Sequence, residues 1–306
     1  MWAPMYPAPP VTRVEGVIAE HCTVRRVFAA VVVTYSAPAD VLDRCLRSIV
    51  DGGGVDRIVV VDTGGAASVA DDLAAAVDLS VMENRGYGAA ANRGFELVGD
   101  ADLVALLNDD VVVQPGWREP LLAAFDTSAR VGAAQPALVA SDHSIVTSLG
   151  VRLDPAGAGC DIADGAPLPD DRSMRHVGIF NAGTVVFRRS FLVDTGGFDE
   201  RFFLYYEDVD LALRGRQRGW EYRLVPESMV EHRRGTSTGA DPVGTRYYQE
   251  RNRLWTAFRF GPVSTIARAV WLSVRRLRHP PRAVHARALA AGIAAGPRIL
   301  WERIRY

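Results

Sequence analysis

The apolar positions fall into short unbroken runs separated by amphipathic stretches. Phe28-Ala-Ala-Val-Val-Val-Thr-Tyr35 is the first run, rich in β-branched residues, as in strands buried on both faces of a parallel sheet. Pro38 then opens a helical stretch, Ala39 to Val50, with Val41, Leu42, Cys45, Leu46 and Ile49 on one face. The alternation continues. Arg57-Ile-Val-Val-Val-Asp62 predicts a second strand, Ala67 to about Val77 a helix, and Leu79 to Met82 a third strand. Gly88 to Val98 predicts another helix, and Leu103 to Leu107 a fourth strand. Strands alternating with helices of this length predict a doubly wound, mostly parallel α/β sheet.

The texture changes after about residue 150. Residues 154–175 are rich in Gly, Pro and Asp and read as a loop. Phe180 to Phe187 predicts a strand, Arg201 to Arg218 a helix after an aromatic start, and Tyr222 to Val225 a further extended segment. From Phe258 onward ten arginines and one acid are interleaved with Trp271, Leu277, Ile299 and Trp301. A basic, aromatic-containing helical segment suits an anionic membrane surface or a solvated helix packed on the main domain. The expected organisation is a flexible leader over 1–26, a main α/β domain over 27–240 and a helical basic extension over 241–306.

Composition narrows the chemistry. The 306 residues carry a formal charge of -1, which argues against a nucleic-acid binder. All 35 basic residues are arginine, so Schiff-base catalysis and a P-loop lysine are both excluded. Cys22, Cys45 and Cys160 are odd in number and without a CxxC, which suits a reducing cytosol and offers no zinc site. Neither a signal peptide nor an apolar run of the roughly 18 residues a membrane span needs is visible. A cytoplasmic protein, peripheral at most on the inner face of the plasma membrane, is expected.

Functional residues of parallel sheets gather at the carboxyl ends of the strands. Here those ends carry Thr34 and Tyr35, Asp62, Glu83 and Asn84, and Asn108-Asp109-Asp110. A crevice so lined would repel a bare diphosphate unless a divalent cation such as Mg2+ or Mn2+ lay between them. The same aspartates also suit turns and caps, Asp62 before Thr-Gly-Gly in particular. Gly86, Gly88 and Ala91 imitate a dinucleotide fingerprint, but that motif belongs on the first strand–helix turn, where Thr34 to Pro38 has no glycine. In Tyr205-Tyr-Glu-Asp-Val-Asp210, acids follow aromatics, a setting that raises a carboxyl pKa as a general base requires. His232, followed by arginines, a glycine and hydroxyls, is a candidate for a diphosphate site, and Arg251 is a further anion contact or a solvated helix charge.

Taken in order, Val31-Val-Val-Thr-Tyr, Val60-Val-Asp62, Glu83-Asn-Arg-Gly-Tyr-Gly, Leu107-Asn-Asp-Asp110, Gly196-Gly-Phe-Asp-Glu, Tyr206-Glu-Asp-Val-Asp-Leu211 and His232 with Gly235 resemble family-2 glycosyltransferases of the GT-A fold. The resemblance implies an inverting, metal-dependent transferase using a nucleotide-sugar donor, dTDP-, UDP- or GDP-linked. It implies that Asp62 contacts the nucleobase, Asp110 binds the metal within a DxD-type motif, His232 completes the metal site, and Asp208 is the general base. Thr34, Tyr35, Asn84, Arg85, Gly86, Asn92, Asn108 and Asp109 complete the expected donor-binding set. Asn108 departs from strict D-x-D. The Asn-Asp-Asp variant and the Tyr-Tyr…Arg-Asn pattern resemble bacterial rhamnosyl- or galactofuranosyltransferases of cell-envelope assembly, whose acceptor is a glycan or a polyprenyl-linked sugar. The competing expectations are a non-catalytic nucleotide-sugar scaffold at the membrane, and a nucleotidyltransferase or NAD enzyme.

Overall fold

The computed structural model describes residues 26–233 and 241–305; the leader expected over 1–26, all but its last residue, and Gly235 with its neighbouring hydroxyls lie outside them. Twelve strands and eight helices are formed among the described residues. The first strand, β1 (Phe28–Thr34), is buried along its whole length. Its alternate residues serve two cores. Phe28, Ala30 and Val32 face α1 (Ala39–Gly52) through Leu42, Cys45, Leu46 and Ile49. Ala29, Val31 and Val33 face α2 (Tyr87–Leu97) through Ala90, Ala91 and Phe95. This is why the run is apolar at every position: both faces are covered, and each buried Val, Leu or Ile contributes about 1.5–3 kcal/mol. A Cβ on Gly94 would stand 2.2 Å from Val31, so the glycine lets α2 lie directly on the strand.

Alongside β1 lie β2 (Arg57–Asp62), β3 (Val77–Val81) and β4 (Leu103–Asn108), all parallel to it in the order β3-β2-β1-β4. The sheet continues through β11 (Thr184–Arg188), β6 (Val131–Val139), β12 (Glu221–His232) and the short β10 (Arg175–His176). Only β11 and β10 run against the common direction on this path. The carboxyl ends of β1, β2, β4 and β12 therefore share one edge, and reversed β11 begins there. The remaining strands are β5 (Val111–Val113), which pairs with β12, β7 (Val146–Ser148) beside β6, and the β8 (Val151–Leu153) and β9 (Gly159–Asp161) hairpin.

The helix expected over Ala67 to Val77 is not formed. Residues 70–76 make short i→i−3 turns, Leu73 N–H to Ala70 O at 2.9 Å and Ala76 N–H to Leu73 O at 2.9 Å. Leu73 and Val77 are the large side chains buried there, so no continuous apolar stripe holds a helix to the sheet. The strand expected over Phe180 to Phe187 starts at Thr184, and its first residues form a loop instead. The helix expected from Arg201 begins only at Glu207, as α5 (Glu207–Gln217). Helices α3 (Arg118–Asp126) and α4 (Arg189–Thr195) pack on the sheet.

The basic C-terminal part is helical, as expected: α6 (Pro242–Phe260), α7 (Val263–Arg276) and α8 (Arg282–Arg305). It has its own small core of Leu254, Ala257, Phe258, Ala269 and Ile299. Charge fastens it to α5: fully buried Asp210 accepts from Arg214 Nε at 2.7 Å and pairs with Arg259 of α6, which also holds Glu302 of α8 at 2.7 Å.

Candidate active site

The first group of expected site residues lies where β1 and β2 end. Thr34 pairs with Asp62 in register, and both are buried. The Asp62 carboxylate accepts three backbone N–H groups, from Gly64 at 2.8 Å, Gly65 at 3.0 Å and Ala67 at 2.9 Å. It thereby closes the turn that brings Gly64 against the carbonyl of Tyr35, whose side chain is half exposed beside it. Thr63 donates from both its N–H and its hydroxyl to Thr34 O.

A second group surrounds the start of α2. Asn84 Oδ1 accepts from Gly86 N–H at 3.0 Å, an Asx turn that sets the approach to the helix. Gly86 has φ +97°, and a Cβ there would lie 2.2 Å from Phe203 O, so only glycine permits the contact with the loop before α5. Arg85 pairs with Glu200 at 2.6 Å, and Asn92 binds the backbone of Phe198 through both its amide groups. Arg85 and Asn92 thus join the 198–200 turn.

The third group is the acidic one. Asn108 ends β4, and Asp109 and Asp110 sit in the break before β5 with 4% and 7% of their surfaces exposed. Because β5 pairs with the end of β12, His232 is opposite Val111, and its Nε2 comes within 3.4 Å of Asp110 Oδ1. The loop entering β11 closes the other side. Asn108 N–H donates to Gly183 O at 2.9 Å, and a Cβ on Gly183 would touch Asn108 Nδ2 at 3.6 Å and His232 Cε1 at 3.7 Å. One residue earlier, Ala182 N–H points to Asp208 Oδ2 at 3.4 Å. Consecutive residues of one loop thus face the strand-end acids and the helix-start acids.

Tyr87 shows the same convergence electrostatically. Its hydroxyl donates to Ala182 O at 2.8 Å, and burial, then the charges of Glu207, Asp208, Asp109 and Asp110, hold its pKa well above the usual phenol value. Desolvation lifts Glu207 to about 8 and Asp208 to about 6; the Asp208 charge adds to the rise of Glu207, and the Val209 and Ala182 N–H groups restrain that of Asp208. A carboxyl in that range exchanges protons near neutral pH. Glu207 Oε2 has no hydrogen-bond partner among the described residues. Cys45, whose thiol lies 3.5 Å from Asn108 O, has its pKa driven far up by burial and is no nucleophile at neutral pH.

Several site residues did not stand out in the sequence. Asn181 donates to Asp161 Oδ1 at 2.8 Å and accepts from Gly183 N–H at 2.7 Å, which shapes the 181–183 loop. Gln135, fully buried on β6, receives Asn181 N–H at 2.7 Å. A buried glutamine inside an otherwise apolar strand was the available signal. Arg251 is engaged by the protein itself: it donates to the carbonyls of Arg201 and Phe202, and its guanidinium rests 4.2 Å from the Trp255 ring.

The geometry is that of a GT-A transferase, and the comparisons agree. Residues 25–255 match the model of the family described as glycosyltransferase like family 2. The chain is 34% identical over 246 residues to an N-acetylglucosaminyl-diphospho-decaprenol L-rhamnosyltransferase of Mycobacterium tuberculosis, in both strain CDC 1551 / Oshkosh and strain H37Rv, covering 71% of this chain and 79% of each relative. Among solved structures, GalNAc-T7 with UDP, GalNAc and Mn2+ superposes with a TM-score of 0.64 at 13% identity, over 91% of this chain and 57% of that one, a likeness of fold. By its sequence the chain belongs to glycosyltransferase family 2, and its fold is that of a GT-A transferase.

Proposed function

We propose that the chain transfers L-rhamnose from a dTDP-linked donor to a prenyl-diphosphate-linked N-acetylglucosamine, with inversion at the anomeric carbon. The sugar and acceptor follow the name of the mycobacterial relatives. The observation that carries the mechanism is the pair of poles on either side of residues 182 and 183, Asp208 on one and Asp110 with His232 on the other.

Asp208 takes the proton of the acceptor hydroxyl while that oxygen attacks the anomeric carbon from the face opposite the leaving diphosphate. Asp62 and the turn it closes, with Thr34 and Tyr35, receive the donor's nucleoside, and Asn84, Gly86 and Asn108 line the path to the diphosphate. Among the described residues no three His, Cys, Asp or Glu side chains are grouped to hold an ion alone. Asp110 and His232, 3.4 Å apart, would supply part of the shell of a divalent cation. A divalent cation held there, Mg2+ or Mn2+, supplies neutralisation of the charge developing on the diphosphate.

No described helix is long and apolar enough to cross a membrane. Helix α7 instead leaves Val263, Trp271 and Val274 exposed at 81%, 60% and 49%, among Arg268, Arg275 and Arg278. This basic, apolar strip supports docking on an anionic bilayer that carries the acceptor. Co-sedimentation with anionic but not zwitterionic vesicles, weakened in Trp271→Ala, is the expected result; equal binding to both, or none, contradicts the docking.

The donor assignment is tested by thermal shift with dTDP-, UDP- and GDP-linked sugars and with NAD, each with and without Mn2+. Stabilisation by the dTDP class that requires metal is expected, and stabilisation by NAD without metal contradicts the reading.

A further inference from the structure

We infer that Asn252, oriented by Arg251, is a positioning residue for the transfer step: from α6 it clamps the strained segment Phe203–Tyr206 that presents Glu207 and Asp208. The inference rests on the assignment of Asp208 as the base.

The segment needs a clamp. Phe203, Tyr205 and Tyr206 all have positive φ, at 65°, 64° and 70°, and none is glycine. Side chains with a Cβ avoid this region, so three such residues within four persist only where the surroundings over-determine them. The turn they make is what starts α5 at Glu207 and leaves the acids at the mouth of the 181–183 loop; Tyr206 itself is the N-terminal boundary residue. Strain of this kind next to a reacting group commonly belongs to the site's preorganisation.

The clamp has three jaws. From α2, Tyr87 N–H donates to Phe203 O at 2.7 Å, over the gap that Gly86 leaves. From the β8–β9 turn, Gly159 N–H donates to the Tyr206 hydroxyl at 2.9 Å, which in turn donates to Gly157 O at 3.2 Å. The third jaw is the one with no other role. Asn252 is completely buried, and its Nδ2 stands 2.9, 2.8 and 2.7 Å from the carbonyl oxygens of Phe202, Leu204 and Tyr205. An amide offers two N–H groups, so at least one is shared among these acceptors. Arg251 Nε donates to Asn252 Oδ1 at 2.8 Å, which decides which end of the amide faces the loop. Rings close the contact: Phe203 stacks on Tyr248 at 4.8 Å, and Phe202 meets Trp255 edge-on at 5.6 Å.

Replacing Asn252 by leucine keeps the branched shape of the side chain, at a somewhat larger volume, and removes every donor. The Leu204 and Tyr205 carbonyls lose their side-chain partner while Phe202 O keeps Arg251, and the backbone before Glu207 is freer to leave the positive-φ region. The acids then shift while the Asp62 crevice and the Asp110–His232 pair, on other elements, stay in place. Turnover should therefore fall without loss of donor affinity, because the donor is held elsewhere.

The experiment compares full-length wild type, Asn252→Leu, Arg251→Met and Asp208→Asn with dTDP-L-rhamnose, Mn2+ and a prenyl-diphosphate-linked N-acetylglucosamine. The expected result is a kcat lower by about 100-fold in Asn252→Leu with donor KM unchanged, since displacements of about 1 Å at a reacting group cost that much. The acid limb of its pH–rate profile should also move, because the burial of Asp208 changes. Hydrogen exchange of the 203–208 amides should speed up in both α6 variants while exchange in β1, β2 and β4 stays slow. This readout needs no turnover. Arg251→Met, which leaves the buried amide present, covers the case in which the leucine variant does not fold. Unchanged exchange over 203–208 overturns the clamp. Normal kcat in Asn252→Leu beside an inactive Asp208→Asn overturns the positioning role and leaves the base intact. Normal kcat in Asp208→Asn overturns the base and the positioning role together.

Discussion

Asp62 and Asp208 are the same residue type in opposite circumstances. Asp62 closes a strand, is almost fully buried, and has three backbone N–H groups on its two oxygens at 2.8–3.0 Å. Asp208 opens a helix, accepts one short N–H bond from Val209 at 2.8 Å and one long one from Ala182 at 3.4 Å, and sits beside buried Glu207. Its pKa rises to about 6, chiefly through desolvation. The first carboxylate is engaged in holding a turn; the second is left with the means to take up a proton. What separates architecture from chemistry here is the number and quality of donors that the local backbone supplies, which the identity of the residue does not disclose.

The sharpest way to break this contrast is Asp208→Asn. It should lower kcat by at least about 1,000-fold, within the 10²–10⁴ range of general-base catalysis, with donor binding followed by thermal shift preserved. Asp110→Asn comes next. A loss of about 100-fold is expected, comparable to removing one electrostatic stabiliser of a transition state, with a rise in the Mn2+ concentration needed for half activity. Asp62→Ala should act mainly on the fold. Losing three charge-assisted hydrogen bonds is expected to lower the unfolding free energy by about 2–3 kcal/mol in a denaturant titration, and donor KM should rise because the turn that receives the nucleoside is loosened.

The smallest effect is on pH. The base role proposed for Asp208 requires its ionised form, so kcat/KM should fall as pH drops through about 6. The same raised values oppose folding at higher pH. A carboxyl whose folded pKa exceeds its unfolded one stabilises the fold below about 4 and loses that contribution as pH rises through about 6 for Asp208 and about 8 for Glu207. The variant Asp208→Asn should accordingly unfold at higher temperature than wild type at pH 8, and differ little at pH 4.

Much of the architecture was legible in the sequence because it rests on burial. The runs at Val31, Val59 and Leu106 are apolar throughout since helices cover both faces of the parallel half. Residues 67–77 misled because alanine suits a helix while the segment has little apolar surface to anchor one. Strands of two or three residues such as β5, β7 and β10 carry no readable period, and β5 is the one that brings His232 to Asp110. The acid-bearing motifs were visible as motifs. Their supports were not, because half-buried Asn181 and fully buried Gln135 and Asn252 act through partners that lie 20, 46 and about 50 positions away. A lone polar residue in an apolar element announces a partner without naming it.

The proposed reaction is a single displacement between the Asp208 pole and the Asp110–His232 pole. The most direct test is to incubate the protein with dTDP-L-rhamnose, Mn2+ and prenyl-diphosphate-linked N-acetylglucosamine, and to read the anomeric configuration of the product by NMR. A product inverted relative to the donor, absent when EDTA is added and absent with Asp208→Asn, is the predicted result. A product with retained configuration, or transfer that persists without a divalent metal, would contradict the account.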